Sequence, residues 1–518
     1  MSFRKKVLLL ILLSTILRCG IALVLELGND EVYYWTYGLH LEWNYFDHPP
    51  MVALLTRLTS FNLHFRSEFF IRLGPIICAA INTWLVYLIG RKIKDERAGW
   101  YAALLYCSSF YCSIIAGTFI LPDSPQLLFW VLSLFLMTEI TGENLQDKRK
   151  GFLLLLLGVT IGLCIMSKVH GIFLWVGFGA YILFFQRKLL SNPYLYGSVL
   201  LTIMIISPIF IWNWKNDFIT WSFHNDRVGF FGKRLDIDSF LQQVFGSAFY
   251  NNPVNFVLYV IALISVCRKK LPVSSNWLRL YLLLGLPLIG VLLVMSVFNE
   301  TLPHWSGPAY ISILLLTAAY LSGKNEGAAK IPRPLLSAVI LFFVIAAGGV
   351  IAISWLPVQI GKKDDKDLGK GDITLDMSGW KQFSQKFDSL YRTDIKTGMM
   401  KPNSPVIADY WFPAAHLDYY VAAPLGINFM AIGKLRDIHH YAWLNKERPG
   451  LVPGNDAYFI YPSNYYGPPR EELRKHFDHL DSLAILQTRV NLPVRNFVIY
   501  RMHGYLGGIR RDGVFSEK

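Results

Sequence analysis

The sequence predicts an α-helical polytopic membrane protein of about eleven transmembrane helices, followed by a C-terminal extracytoplasmic α/β domain. Three observations carry that prediction. Of 518 residues, 53% are hydrophobic and only 17% are charged, against roughly 25% charged in an ordinary soluble protein. The apolar residues come in blocks of about 17–25, the length that crosses a bilayer as helix. The Lys and Arg residues that make the net charge +14 concentrate in alternate loops, as the positive-inside rule expects of membrane proteins. The basic excess is therefore read as topological, and no nucleic-acid partner is expected.

Taken in order, the spans fall near 7–27, 69–90, 98–117, 124–141, 151–167, 170–186, 194–213, 253–267, 278–297, 306–322 and 335–356. The opening run "MSFRKKVLLLILLSTILRCG" has no small-residue cleavage site after it, so it is read as a retained first span. One set of loops carries Arg4/Lys5/Lys6, "RKIKDER" (91–97), "DKRK" (147–150), Arg187/Lys188, "RKK" (268–270) and Lys324/Lys330/Arg333. That set marks the cytoplasmic side. The N-terminus is then cytoplasmic, and residues from about 357 onward lie outside. The expected domains are 1–356, transmembrane with outward-facing loops, and 357–518, periplasmic. The expected location is a bacterial inner membrane.

Beyond residue 356 the composition turns polar. Short β-type runs, "PVIAD" (405–409), "AYFIYP" (457–462), "LAILQT" (483–488) and "NFVIYRM" (496–502), alternate with helical stretches such as "PPREELRKHF" (468–477). This is the pattern of a small α/β domain. "GKKDDKDLGKGD" (361–372) reads as its flexible linker, and the small residues Ala346 to Val350 read as a close helix-packing site. The six cysteines lie in or beside apolar segments with no CxxC, which argues against a zinc ribbon or a disulfide framework.

The unusual residues gather on the outward side. The first outward loop, "GNDEVYYWTYGLHLEWNYFDHPP" (28–50), is crowded with carboxylates and rings. It is joined there by "LPDSP" (121–125), "SKVHG" (167–171), "NWKNDFITWSFHNDRVGFFGKR" (213–234) and "FNETLPHW" (298–305). Taken singly, each fits an interfacial belt, and a carboxylate at a helix start fits a cap. Together they place ionisable residues on one face, and such a cluster at a membrane boundary points to function. The chain has no P-loop, dinucleotide turn, HExxH or GxSxG. A synthetic enzyme on that face needs a donor activated within the membrane, and a lipid-linked phosphosugar meets that need. Such chemistry calls for a carboxylate base, a cationic or metal site for the leaving phosphate, and aromatic faces.

"DEVYYW", "FDHPP", "LPDSP", "SKVHG" and "PHWSGPAY", in that order, resemble the bacterial glycosyltransferase family 39/83 proteins of the GT-C superfamily. That group includes the lipid A aminoarabinose transferase and relatives of the protein O-mannosyltransferases. The resemblance covers roughly residues 1–356 and implies a GT-C fold. It further implies a polyprenyl-phosphate sugar donor, a lipid A, glycan or protein acceptor, and contact with membrane lipids. Carried over by position, Asp30 matches the catalytic base, Glu31 accompanies it, and Asp123 matches a second functional Asp. Asp47 matches an acid that helps hold a divalent metal (Zn, Mg or Mn), with His224 as a looser partner. The aminoarabinose transferases have Lys where this chain has His48. Donor-phosphate contact is therefore assigned among His48, Lys168, His170, Arg227 and His304. The rival readings are a transporter or lipid-linked sugar flippase, a polymerase or ligase acting on whole glycans, and a scaffold whose outer domain binds partners. Adjacent His439 and His440 diverge in direction, which argues against a two-histidine metal site, and "DYWFPAAHLDYY" (409–420) reads as core packing, with acceptor contact as the alternative.

Overall fold

The computed structural model describes residues 1–142, 146–228, 234–325 and 331–515, with side chains left out at 226–228. The chain divides into two compact units, Met1–Ala22 with Glu42–Ala346, and Leu23–Leu41 with Ala347–Lys518.

The helices run α1 (Phe3–Val24), α2 (Asn29–Leu39), α3 (Met51–Thr59), α4 (Glu68–Ile93), α5 (Glu96–Ser108), α6 (Asp123–Ile140), α7 (Asp147–Ser167) and α8 (Ile172–Phe185). They continue with α9 (Pro193–Lys215), α10 (Ile219–Val228), α11 (Ile237–Tyr250), α12 (Pro253–Cys267), α13 (Ser275–Ser296), α14 (Gly307–Lys324) and α15 (Arg333–Trp355). Each expected span overlaps a helix, but the one near 98–117 is broken, with α5 ending at Ser108 and a π-helical turn at Tyr111–Ile115. Among the described residues α1, α4, α7, α9, α13 and α15 are long and apolar enough to cross a membrane, and α11–α12, bent by 101°, passes as one broken span. The chain is a multi-pass membrane protein. Helices α5, α6, α8 and α14 fall below that mark in length or apolarity. The reason is visible at α6, which opens on Asp-Ser-Pro-Gln before its apolar run.

The first unit's core is one continuous apolar cluster from Val7 to Leu335. Its helices approach closely where a side chain is missing: a Cβ on Gly158 would collide with Ser198 O of α9, and one on Gly177 with Leu283 O of α13. This is small-residue packing, but not where the sequence placed it. Cβ atoms on Gly348 and Gly349 would meet nothing within 4 Å, so the Ala346–Val350 run packs no neighbouring helix closely.

The second unit carries a five-stranded sheet in the order β2-β1-β3-β5-β4. The strands are β1 (Val406–Ala408), β2 (Phe429–Ala431), β3 (Ala457–Pro462), β4 (Phe477–Arg489) and β5 (Leu492–Tyr505). β1 pairs in parallel with β2 and β3, while β5 pairs antiparallel with β3 and β4. Val490 and Asn491 both take positive φ (49° and 64°) in the two-residue turn between β4 and β5, the geometry that matches strand twist in a tight hairpin. Two expectations change here. "PPREELRKHF" forms only a four-residue helix, Glu471–Arg474. The supposed linker 361–372 is ordered: Gly369 N–H donates to Lys362 O at 2.9 Å, and buried Asp372 pairs with Arg489 at 3.3 Å.

The second unit also claims part of the first outward loop. Leu27 N–H donates to the Tyr420 hydroxyl at 2.7 Å, and Leu27 O lies 3.0 Å from His416 Nε2. Glu26 accepts from the Trp380 and Lys381 amides at 2.7 and 3.1 Å. Along α2, the rings of Tyr33 and Trp35 meet Trp411 and Tyr419, with centroids 5.0 and 4.9 Å apart. Residues 23–41 thus pack with the α/β unit, while 42–50 pack with the helices.

Candidate functional site

Both halves of the first loop hold residues singled out by sequence, and each is described within its own unit. In the second unit, Asp30 and Glu31 lie in the first turn of α2, and they divide the work. Glu31 is buried, and its Oε2 accepts from Gly28 N–H at 2.9 Å. It caps an orphan amide of its own helix. Gly28 has no side chain to reciprocate, so only that half of a capping box exists. Asp30 is exposed. Its carboxyl group is within reach of solvent.

In the first unit, Asp123 opens α6 and is 2% exposed. Lys168 follows the last residue of α7, in an extended conformation (φ −160°, ψ 134°) that turns the chain into the short 3-10 turn Val169–Gly171. Its Nζ lies 2.8 Å from Asp123 Oδ2, and both side chains are almost fully buried. Tyr111 donates its hydroxyl to Asp123 Oδ1 at 3.1 Å. Tyr111 was missed by sequence reading. It begins a π-helical turn, Tyr111–Ile115, a local widening often found at functional sites. Its ring lies against Gly307, where any Cβ would collide with it. The "PHWSGPAY" glycine therefore makes room for the tyrosine that orients Asp123.

The same π turn is clamped from α1. Arg18, 2% exposed, donates to Ser113 O at 3.3 Å, Ser113 Oγ at 3.0 Å and Ser14 Oγ at 3.1 Å. Arg72 is a second buried cation, its guanidinium 5.3 Å from the Phe119 ring centroid. The sequence did hold a signal for both: each is a charge inside an apolar run, and such residues carry function more often than not.

Around the Asp123–Lys168 pair stand histidines. His48 lies within electrostatic reach of Asp47, Lys168, His224 and Asp123, and its ring is 6.1 Å from that of His224. His304 is in reach of Asp123 and Lys168, beside Tyr250 at 5.9 Å. His170 stands beside Trp305 at 5.7 Å. Burial pushes His48 down to about 4, Asp47 pulling the other way. Burial likewise pushes His304 down to about 4 against the pull of Asp123. Both rings are neutral near pH 7, so they hydrogen-bond and do not serve as cations. Lys168 is already paired with Asp123. The Arg227 side chain lies outside the described residues.

Asp47 and His224, the pair expected to hold a divalent metal, lie together: His224 Nε2 is 2.8 Å from the main-chain oxygen of Asp47, a contact of the kind that also orients metal-binding histidines through their other ring nitrogen. Among the described residues no group of three His, Cys, Asp or Glu side chains converges to hold an ion. No step below runs through a metal.

Comparison with known proteins agrees with this architecture. Residues 47–212 match the model of the dolichyl-phosphate-mannose-protein mannosyltransferase family. The chain is 22% identical over 300 residues to the lipid A galacturonosyltransferase RgtD of Rhizobium johnstonii, a match that spans 56% of this chain and 60% of that relative's length. Among solved structures, ArnT from Cupriavidus metallidurans in the apo state superposes with a TM-score of 0.61 at 14% identity, covering 96% of this chain and 98% of that one. The same ArnT bound to undecaprenyl phosphate gives 0.61 and 14%, covering 97% and 99%. The chain thus shares the ArnT fold along nearly its whole length and matches the mannosyltransferase family model across its early helices.

Proposed function

We propose that the protein is a membrane glycosyltransferase that moves one sugar from a polyprenyl-phosphate donor to an acceptor hydroxyl on the periplasmic face. The observation that carries the reading is the exposed Asp30 carboxylate at the start of α2, in a chain with the ArnT fold. The undecaprenyl phosphate of one ArnT structure and the lipid A specificity in the name of RgtD support a polyprenyl-phosphate donor and a lipid A-type glycolipid acceptor.

In this mechanism Asp30 takes the proton of an acceptor hydroxyl. The oxygen attacks the anomeric carbon, the bond to the lipid phosphate breaks, and the polyprenyl phosphate leaves with the electron pair. Configuration inverts. Tyr111 and Lys168 hold the Asp123 carboxylate in one orientation. Lys168 has N–H groups left for a phosphate oxygen, and His48, His170 and His304 contribute neutral hydrogen bonds. The metal expectation at Asp47 and His224 is tested by chelation, followed by readdition of Zn, Mg or Mn.

Membranes bearing the protein are given a radiolabelled undecaprenyl-phosphate sugar and lipid A. Label on the glycolipid is expected, and Asp30→Asn abolishes it at unchanged expression. Label that crosses the bilayer without product supports the flippase reading, and full turnover by Asp30→Asn overturns the base.

A further inference from the structure

The second unit holds a group of residues that the mechanism above does not use. β1, β2 and β3 run parallel, with β1 between the other two. The chain leaves β1 for β2 on one side and comes back as β3 on the other. Such a reversal of strand order opens a crevice beyond the carboxyl ends, where open α/β sheets bind ligands. Asp409 and Tyr410 follow directly on β1. Asn464, Tyr465 and Tyr466 follow on β3.

Side chains from both ends meet there. The Tyr410 and Tyr466 rings stack with centroids 4.2 Å apart and planes 13° apart. Arg470 covers Tyr410 at 4.5 Å from the ring centroid. It also lies 3.5 Å from Asp409 Oδ2 and 2.8 Å from Oδ2 of Asp437, on the segment after β2. Packing accounts for the neighbouring Phe412, Ala414 and Ala415, which are at most 3% exposed. It does not account for Tyr465, which is 39% exposed, or for half-buried Tyr410 and Tyr466. It also leaves a polar atom stranded. Asn464 is 5% exposed, and its Oδ1 has no hydrogen-bond partner. A buried acceptor in that state needs an explanation, and a missing ligand hydroxyl is one. Asp409, 4% exposed, is pushed up to about 7 by burial, so its carboxyl both donates and accepts hydrogen bonds near neutrality.

The crevice borders the start of α2. Tyr465 donates its hydroxyl to Asp376 Oδ1 at 2.6 Å. Asn29, the residue before Asp30, lies within electrostatic reach of both Asp376 and Tyr465, and its Oδ1 is also a buried oxygen without a hydrogen-bond partner.

We infer that the carboxyl edge of β1 and β3 is a saccharide-binding subsite that holds the acceptor's sugar headgroup beside Asp30. Tyr465 and Tyr466 offer ring faces to the C–H face of a pyranose, and Asn464 and Asp409 take its hydroxyls. A few fixed polar groups among aromatic walls is the ordinary make-up of a small-ligand site. The assignment to the acceptor rests on the transferase reading; the subsite itself does not.

The test is equilibrium binding of the β-1,6-linked glucosamine disaccharide to the detergent-solubilised full chain, read by tryptophan fluorescence. Undecaprenyl phosphate is titrated in parallel. Saturable disaccharide binding is expected. Tyr466→Ala weakens it about tenfold, the scale of one lost ring contact, and Tyr466→Trp restores it. Undecaprenyl phosphate affinity stays unchanged in both variants, which also certifies their fold. Absence of saturable disaccharide binding by the unaltered protein overturns the subsite, as does equal affinity in Tyr466→Ala. Binding without any transfer in the radiolabel assay leaves the subsite standing and sinks the transferase reading.

Discussion

Asp30 and Asp123 make an instructive pair. Each sits in the first turn of a helix, where the dipole favours a carboxylate, and each was singled out from a short outward motif. Their surroundings differ in every other respect. Asp30 is exposed and leaves capping to its neighbour Glu31. Asp123 is buried, paired with Lys168 and bonded by Tyr111. A carboxylate that must take a proton from a substrate needs access. One saturated by a lysine and a phenol is held in a fixed orientation and is a poor base. The same residue type in the same helical position thus meets two environments, and under the proposed mechanism only the exposed one suits a base.

The largest effect that tests this contrast is on turnover. Asp30→Asn is expected to lower transfer by about 10²–10⁴, the usual worth of a general base, with an unchanged melting temperature because the side chain is exposed. Near-normal transfer would dissolve the contrast. The opposite pattern is expected at the buried pair. Lys168→Met strands a buried carboxylate and costs roughly 3–5 kcal/mol of stability. The double variant Asp123→Asn/Lys168→Met regains most of that stability without regaining activity. Thermal unfolding of the detergent-solubilised protein checks both, and a single variant as stable as the double would mean the pair is not coupled.

Tyr111→Phe removes one hydrogen bond to a charged acceptor, worth about 1.5–3 kcal/mol. Its transfer rate should fall while donor affinity holds, and Gly307→Ala, which displaces the same ring, should reproduce the phenotype. A subtler effect follows from the neutral histidines. His48 and His304 sit at about 4 in the folded chain, below the ordinary 6.5. The unfolded chain therefore takes up protons first as pH falls. Their contribution to stability is complete above about pH 6.5 and is lost as pH drops toward 4, so the melting temperature should decline through that window and stay flat from pH 7 to 8. The smallest change expected is Glu31→Gln, which weakens a cap by about 1 kcal/mol or less and barely alters turnover. A loss as large as that of Asp30→Asn would return Glu31 to the chemistry.

What could be read in advance followed distance along the chain. The spans were legible because twenty apolar residues in a row report a helix without any help from tertiary structure, and "AYFIYP" reported β3 for the same local reason. The three-residue strand β2 was too short to stand out. The division of the first loop was invisible, since Leu27 meets Tyr420 across 393 residues and no local pattern encodes that contact. Lys168 was expected as a source of positive charge, but its pairing with Asp123, 45 residues away, carried no local signal. The acids of "NDEVYYW" were recognisable as a group, but which of them caps and which stays exposed depends on side-chain direction within one helical turn.

Arg18 carries a consequence for how the chain is made. A charged residue in an isolated helix costs about 2.5–3.5 kcal/mol to place mid-membrane, and the acceptors on Ser113 that satisfy Arg18 lie 95 residues downstream. At the usual pace of synthesis, about 5–20 residues per second, those groups do not exist until roughly 5–20 s after α1 has emerged. During that interval α1 cannot rest in lipid as it does in the finished protein. It either stays at the insertion machinery or sits with Arg18 drawn to the headgroups, and it settles only once the π turn arrives. On this account α1 is locked in place only after α4 and α5 have followed it out.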